Sequence, residues 1–143
     1  MIKKMLKKNI INRIMIKGNK PTSEKVLTQT VKLLQKIEKN KNFESILKTS
    51  IINSSPILYV KKIQRKRKRT TEFPFLLNSN LKLSYAIKFL ILNSKKRKSE
   101  PFYRNFNQEI INSSKKISLT FKQKIEIHKD GFAKRKFANY RWF

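Results

Sequence analysis

Apolar residues recur at spacings of three and four along the first part of the chain, with lysines between them. The pattern over residues 2–16 predicts an amphipathic helix that stops at Gly18, because glycine is favoured just after a helix end. A second helix is predicted from Pro21 to about Asn40, since proline fits the first turn of a helix. Apolar positions between 43 and 51 predict a third helix, which a polar, proline-containing cluster ends.

The character of the chain changes after Pro56. The β-prone segment Ile57–Val60 comes first, the cationic run Lys61–Arg69 follows, and Thr70–Phe75 is β-prone again. This order predicts a β-hairpin around residues 57–76 with a cationic tip. The tip contains no glycine, which favours a longer loop over a tight two-residue turn.

Helical periodicity returns from Asn80, where one face of the predicted helix is apolar and the other is cationic. Ser79 or Asn80 is available as the N-cap. The predicted inward positions are Leu83, Ile87, Leu90 and Ile91, and the predicted outward positions are Lys82, Lys88 and Lys95. The segment Lys95–Lys98 is predicted to be a loop, because it is wholly cationic.

Two further helices are predicted in the last third of the chain. The first opens at Pro101, and residues 113–116 after it are predicted to form a basic loop; the last helix is weaker and lies around Gly131. Their inward positions are Phe102, Phe106 and Ile110 in the first and Ile125, Phe132 and Phe137 in the last. No repeat or long linker divides the chain, so the sequence predicts one mostly α domain over residues 1–143, a cluster of about six helices with one protruding β-hairpin.

The side chains available for chemistry are few. The chain has 36 Lys and Arg against 8 Asp and Glu, a formal net charge of +28, one His and no Cys. It therefore holds no disulfide and no thiolate zinc site. Glu126, His128 and Asp130 do not share one helical face, so they do not predict a metal site, and the carboxylates show no catalytic spacing. The composition argues against an enzyme, and no catalytic residue, metal or cofactor is predicted.

The sequence also argues against a membrane protein. The longest apolar run in the middle of the chain is Phe89–Leu92, far short of the ~20 residues that a spanning helix needs. The lysine-rich start could alternatively be a presequence or a membrane-surface helix. It carries only Arg13 and no serine and leads directly into the next helix, which favours a helix of the folded body. We expect no membrane partner and no small-molecule substrate.

The cations cluster where predicted elements end, at residues 17–20, 61–69, 95–98, 115–116 and 134–136. Cations in this arrangement would bind a nucleic-acid phosphate backbone with high affinity, because each neutralised phosphate releases counterions. A solvated charged face is the alternative, but a net charge of +28 would destabilise a free compact chain by self-repulsion. The pattern therefore favours nucleic acid. RNA is favoured modestly over DNA, and a basic architectural DNA-binding protein of an organellar nucleoid is the competing hypothesis.

Several segments, in order, resemble one known family. The chain contains INRIMIKGNK at 11–20, SPILYVKK at 55–62, FP at 73–74, YAIKFL at 85–90 and AKRKFANYRW at 133–142. These are similar to the opening helix, the hairpin entry and return, the central helix and the terminal Tyr-Arg-Trp pattern of small-subunit ribosomal protein number seven of bacteria and organelles. The resemblance covers roughly residues 9–142.

The resemblance implies a six-helix cluster that carries a β-ribbon. It also implies a structural protein of the small ribosomal subunit that binds the 3′ major domain of the rRNA, nucleates assembly of the head and lies near the exit tRNA site and the mRNA path. Neighbouring head and platform proteins would be its protein partners. The chain departs from the family in a shortened basic arm before the first helix. It also has Lys66, Arg67, Lys68 and Arg69 where the family has hairpin glycines.

Charge and resemblance together predict a set of rRNA-binding residues. Most are lysines and arginines at element ends, and the last few are aromatic or cationic residues of the terminal pattern. The set is Lys7, Lys8, Lys17, Lys20, Lys61, Lys62, Arg65, Lys66, Arg67, Lys68, Arg69, Lys95, Lys96, Arg97, Lys98, Lys115, Lys116, Lys134, Arg135, Lys136, Tyr140, Arg141 and Trp142.

Composition bears on the compartment as well. The chain contains 28 Lys, 18 Ile and 13 Asn, residues with A- and T-rich codons, which indicates an AT-rich genome such as that of an organelle. With the family resemblance, this predicts the small ribosomal subunit of the mitochondrial matrix, with the plastid as second choice.

Overall fold

The computed structural model of the chain describes residues 2–37, 42–64, 70–97 and 100–140, and side chains from Leu6 to Asn139 within those ranges. The described residues form the helices α1 (Ile2–Ile14), α2 (Lys20–Ile37), α3 (Phe43–Ser54), α4 (Ser79–Lys96), α5 (Phe102–Ser114) and α6 (Leu119–Ala133), the strands β1 (Leu58–Ile63) and β2 (Thr71–Leu76), and a terminal 3₁₀ helix (Arg135–Tyr140). The prediction of a mostly α fold with one β-hairpin is confirmed.

The turn between α1 and α2 contains the glycine that was predicted to stop the first helix. Gly18 has φ of 76° and Lys17 has φ of 51°, a left-handed pair that reverses the chain. Asn19 lies directly before α2, and its side-chain oxygen accepts a hydrogen bond from the Thr22 amide at 3.4 Å, as an N-cap residue does. α1 itself ends at Ile14, so the predicted stop is confirmed to within one turn.

The core lies where α4 and α5 pack against the first three helices. Ile87 and Leu90 of α4, Phe106 and Ile110 of α5 and Leu34 of α2 are each at most 2% exposed. Their spacing places them on one face of each helix, which removes large aliphatic and aromatic side chains from water. The predicted inward face of α4 is confirmed, with Leu83 only partly buried. Lys88 and Lys95 are exposed as predicted, whereas Lys82 is half-buried.

Two details at the ends of α4 differ from the prediction. The N-cap is Asn78 instead of Ser79 or Asn80, and no side-chain hydrogen bond caps this end. Lys95 and Lys96 belong to the last turn of the helix and not to a loop. Cations are favourable there because the helix dipole presents partial negative charge at its C-terminus.

The end of α5 also lies later than predicted, since Ser113 and Ser114 are helical. The helix closes with two bonds, from the Ile117 amide to the Asn112 carbonyl at 2.9 Å and from the Lys116 amide to the Ser113 carbonyl at 3.1 Å. Lys116 has φ of 62°, so a lysine occupies the left-handed position that glycine usually takes in this motif.

Two of the predicted inward positions of the last helix are wrong, whereas the third, Phe137, lies in the terminal 3₁₀ helix and packs against Phe73. Ile125 and Phe132 are 38% and 66% exposed, whereas Thr120 and Gly131 are buried. Gly131 lies against the hairpin, because a Cβ atom added to it would collide with the Leu58 side chain. A hydrophobic pattern could not predict this, because α6 meets the hairpin at a residue without a side chain.

The hairpin pairs β1 and β2 antiparallel, with Leu58 opposite Leu76 and Ile63 opposite Thr71. Its base packs against the body through Leu58 at α6 and through Tyr59, whose ring stacks on Tyr85 of α4 with centroids 5.0 Å apart. The hairpin at 57–76 is thus confirmed, and its predicted cationic tip at 65–69 lies outside the described residues.

Candidate nucleic-acid interface

Most of the predicted RNA-contacting cations in the described part of the chain are exposed. They lie on the outer side of α1, in the α1–α2 turn, on β1, in the last turn of α4, at the end of α5 and in the terminal 3₁₀ helix, namely Lys7, Lys8, Lys17, Lys20, Lys61, Lys62, Lys95, Lys96, Lys115, Lys116, Arg135 and Lys136. Arg97 and Lys134 are half-buried. Arg65–Arg69, Lys98, Arg141, Trp142 and the side chain of Tyr140 lie outside the described residues.

Glu72 joins two of these cations. It lies on β2 opposite Lys62 of β1, and the two side chains form an ion pair at 3.0 Å. The other carboxylate oxygen of Glu72 pairs with Lys134, which follows the last turn of α6. The Glu72 side chain is 24% exposed. One carboxylate therefore holds a cation of the hairpin and a cation of the C-terminal segment at the same place.

An aromatic contact joins the same two regions. Phe73 of β2 is buried and meets the ring of Phe137 edge-on, with centroids 6.2 Å apart and an interplanar angle of 73°. Aromatic pairs favour this geometry because the positive ring edge meets the negative face. The base of the hairpin and the terminal 3₁₀ helix are consequently in contact, and both segments carry exposed cations, Lys61 and Lys62 on β1 and Arg135 and Lys136 on the 3₁₀ helix.

Arg97 has a different environment. Its guanidinium donates to the Glu109 carboxylate at 2.8 Å and to the Gln108 side-chain oxygen at 3.3 Å. Glu109 is fully buried, and its other oxygen accepts from the Thr120 hydroxyl at 2.7 Å and the Thr120 amide at 3.1 Å. Arg97 thus neutralises a buried carboxylate of the fold, in addition to any contact it makes with RNA.

Polar side chains also connect the end of α4 to α5, and α4 to α6. The Asn105 side-chain nitrogen donates to the carbonyls of Arg97 and Glu100, at 2.8 and 2.9 Å. Nearby, the Asn93 amide donates to Thr120 and Gln123, each at 3.1 Å. Buried polar groups that are satisfied in this way fix the course of a segment, because breaking them would leave donors and acceptors unpaired. These hydrogen bonds therefore fix the position of the helix end that carries Lys95 and Lys96.

The lone histidine contacts the backbone where the chain enters the hairpin. His128 of α6 accepts a hydrogen bond from the Ile57 amide at 3.0 Å, where the chain enters the hairpin. Burial lowers the pKa of His128, and the positive charge of Lys124 lowers it further. In the part of the chain that the structure describes, no group of three or more His, Asp or Glu side chains could hold a metal ion.

Lys124 also serves the fold. Its ammonium group donates to the Asn53 carbonyl at 3.0 Å, near the C-terminus of α3, where a cation is favoured. Burial lowers the pKa of Lys124, as does the neighbouring charge of Lys116. The ammonium group is thus held against the end of α3 and partly withdrawn from solvent.

Cations of the C-terminal segment lie over aromatic rings of the same segment. The Arg135 guanidinium is 4.5 Å from the centre of the Phe132 ring, and the Lys136 ammonium is 5.4 Å from that of Phe137. These distances are within the range of cation–π attraction. The aromatic residues therefore help to orient the cations.

Sequence reasoning missed Glu72, Glu109 and Asn105. A signal was present for Glu109, which directly precedes Ile110 of the inward stripe, so a carboxylate adjoins the apolar face of α5. Glu72 offered no comparable signal, because its partner Lys134 is 62 positions away along the chain.

None of the described helices is long and apolar enough to cross a membrane. The helices are instead amphipathic, with polar or charged side chains on the face opposite the core.

Comparison with known proteins covers nearly the whole chain. The model of the family described as ribosomal protein S7p/S5e matches residues 2–135. Small ribosomal subunit protein uS7 of Roseiflexus castenholzii is 28% identical over 139 residues, 97% of this chain and 87% of the relative. The uS7c protein of Euglena gracilis is 29% identical over 137 residues, 96% of this chain and 86% of the relative. The uS7 protein of Xylella fastidiosa is 29% identical over 132 residues, or 92% and 83% of the two chains.

Proposed function

The chain belongs to the ribosomal protein S7p/S5e family, and on that premise we propose that it binds the 3′ major domain of small-subunit rRNA and nucleates assembly of the subunit head. The family consists of structural proteins of the small ribosomal subunit, so the prediction that the chain is not an enzyme is confirmed. The observation that carries the proposal is the placement of exposed cations at the ends of successive elements of a folded body.

The composite surface of the hairpin base and the terminal 3₁₀ helix is the proposed centre of the rRNA interface. It brings together two cations that are far apart in the chain, Lys62 and Lys134, because both pair with Glu72. Phosphate contacts of this kind position a protein on RNA and supply most of the affinity. The cations of α1, the α1–α2 turn and the ends of α4 and α5 extend the interface.

The finer parts of the proposal follow from the resemblance and the composition. The whole of residues 1–143 acts as one domain, and the hairpin reaches toward the mRNA path and the exit tRNA site. Neighbouring head and platform proteins are its protein partners. The compartment is the mitochondrial matrix, with the plastid as second choice, because the Lys-, Ile- and Asn-rich composition indicates an AT-rich organellar genome.

RNA binding is tested with the full chain and three ligands: the cognate 3′ major domain rRNA, an unrelated structured RNA and duplex DNA. We expect the cognate RNA to bind most tightly and the affinity to fall steeply with salt, with a slope of log K against log salt of about −0.7 to −0.9 per phosphate contacted. Equal affinity for duplex DNA would instead support a nucleoid protein. An affinity that hardly changes with salt would refute the electrostatic basis.

Head assembly is tested in reconstitution of the small subunit with and without the chain. We expect particles that lack it to sediment more slowly and to leave the 3′ major domain accessible to chemical probes. Fractionation of cells with a tagged chain tests the compartment, since the mitochondrial small subunit should carry the tag. A normal head in the absence of the chain would contradict the proposed role in assembly.

A further inference from the structure

An apolar groove lies between α1, α2 and α3, away from the composite surface. It has a volume of about 480 Å³ and opens to solvent. Its floor is formed by Leu6, Ile10, Leu27, Val31, Phe43 and Leu47. Ile10, Leu27 and Leu47 are buried in the core, whereas Leu6, Val31 and Phe43 are only partly buried and form its open side. Contiguous apolar surface of this kind on a soluble protein marks an interaction site more often than scattered exposed residues do.

The rim of the groove repeats one pattern on each of the three helices. A lysine directly follows a floor residue on each of them, so that Lys7 follows Leu6, Lys32 follows Val31 and Lys48 follows Leu47. All three lysines are exposed. Among the described residues that line the groove, Glu44 is the only acidic one. The described part of the rim therefore carries three lysines and one glutamate around an apolar floor.

We propose that this groove is a docking site for an acidic, amphipathic helix of another protein. The floor favours large apolar side chains, because burying a Leu or Phe side chain removes apolar surface from water. The rim favours carboxylates next to those apolar side chains, because its lysines carry the opposite charge. Helix-in-groove recognition uses this combination of apolar anchors at i, i+3 and i+4 with flanking charges.

The dimensions agree with two to three anchors. Leu6 and Ile10, Leu27 and Val31, and Phe43 and Leu47 are each separated by four residues, so the floor extends over one turn of each helix, about 5.4 Å along its axis. A volume of about 480 Å³ lies within the range of roughly 300–1,000 Å³ that side chains or small ligands fill in binding sites.

RNA is the less suitable occupant. A base or ribose needs polar partners, whereas all six floor side chains are apolar, and the Thr28 hydroxyl at the edge already donates to the Lys25 carbonyl at 2.8 Å. Removing a polar group from water without a hydrogen bond is unfavourable. The inference goes beyond the proposed rRNA binding and does not depend on it, so it is tested on the isolated full chain without ribosomes.

The probe is a synthetic helix with leucines at i, i+3, i+4 and i+7 on one face and glutamates on both sides. A matched peptide carries alanine at the leucine positions, with the same charge, and binding is measured by fluorescence anisotropy. We expect the leucine peptide to bind at least about tenfold more tightly, because its anchors enter the floor. Equal affinity of the two peptides would overturn the proposal.

Thr28→Trp fills the groove from its edge without removing a core side chain. Thr49→Trp is the control, since Thr49 is also an exposed helical threonine whose hydroxyl donates to a backbone carbonyl of its own helix. We expect the preference for leucine over alanine to vanish in Thr28→Trp and to persist in Thr49→Trp. If the preference for the leucine peptide were lost in both variants, or in neither, the peptide would bind elsewhere and the proposal would be overturned.

Charge reversal tests the rim. Lys32→Glu with Lys48→Glu should weaken the leucine peptide more than Lys88→Glu with Lys122→Glu, which changes the net charge equally at exposed positions away from the groove. Equal weakening, or equal affinity for a version of the peptide flanked by lysines, would refute the preference for an acidic partner. A dimer of this chain that Thr28→Trp abolishes would show that a second copy fills the groove, and weaker RNA binding by Thr28→Trp would show that RNA does. Either result would overturn the proposal.

Discussion

Glu72 and Glu109 each bind cations, but in opposite surroundings. Glu109 is fully buried, pairs with Arg97 and also accepts two hydrogen bonds from Thr120. Glu72 is 24% exposed and lies between Lys62 and Lys134, two cations of the proposed interface. A buried carboxylate must keep its partners, because an unpaired charge in the interior is very unfavourable. A partly exposed carboxylate such as Glu72 keeps contact with solvent, so its ion pairs contribute less to stability, and they also determine where its partners lie.

The difference in burial between Glu109 and Glu72 indicates that the few carboxylates of this strongly basic chain have two different roles. Glu109 connects α5 to the start of α6 and to the segment after α4, so it stabilises the body. Glu72 connects the hairpin to the C-terminal segment, so it arranges the surface. Replacing Glu109 should therefore mainly lower the free energy of unfolding, and replacing Glu72 should mainly change the affinity for RNA.

The largest effect is expected for Glu109→Ala. The change leaves Arg97 without its carboxylate and Thr120 without its acceptor, so the free energy of unfolding should fall by about 3–5 kcal/mol. Denaturant unfolding measures it. Glu126→Ala is the control, because Glu126 is exposed on α6 and should change stability by less than about 0.5 kcal/mol. A similar small change in both variants would mean that the buried network does not stabilise the body.

The next effect concerns the contact between α6 and the hairpin. Gly131→Leu places a side chain where Leu58 already lies, and overpacking of this kind should reduce stability by about 1–3 kcal/mol. Compared with the unaltered chain, Gly131→Leu should reduce the hydrogen-exchange protection of amides in β1 more than that of amides in α4. Adding Leu58→Ala makes room and should restore part of the loss. If the double variant were less stable than Gly131→Leu by the full cost of Leu58→Ala alone, the two residues would not be in contact.

Glu72→Gln should have a smaller effect on stability than Glu109→Ala, about 0–1 kcal/mol, because Glu72 keeps contact with solvent, and water and salt weaken its ion pairs. Its effect on RNA binding is the informative one. In the unaltered chain, the losses of affinity from Lys62→Ala and Lys134→Ala should not be additive, since both lysines bind the same carboxylate. In the Glu72→Gln background, they should become additive. Additivity in both backgrounds would show that the hairpin and the C-terminal segment bind RNA independently.

The sequence predicted the elements that bury a regular apolar face. The stripes of α3, α4 and α5 are such faces, and Ile51, Leu90 and Phe106 are buried as their spacing requires. α6 defied the same reasoning because its contacts are made by Thr120, through the buried carboxylate, and by Gly131, through the absence of a side chain.

The candidate site was predictable only as a set of cations. Local sequence shows where lysines and arginines cluster, but it does not show which of them a carboxylate neutralises. The pair of Lys62 and Glu72 requires the hairpin register, and the pair of Glu72 and Lys134 requires the packing of two distant segments. Arg97 likewise turned out to be paired with a buried carboxylate twelve positions further on.

The smallest predicted effect is a loss of stability in mild acid that depends on His128. The neutral ring accepts the Ile57 amide proton, and an imidazolium cannot accept it. Because burial and Lys124 lower the pKa of His128 in the folded state, the unfolded chain binds the proton more readily. The contribution of His128 is therefore fully present above the unfolded pKa of about 6.5 and is lost as the pH falls from there through the folded value. His128→Gln retains an acceptor that does not titrate, so the unfolding free energy of the variant should change less than that of the unaltered chain between about pH 7.5 and pH 5. His128 is the only histidine of the chain, so parallel curves for the two proteins would show that its ring does not hold the entry of the hairpin against α6.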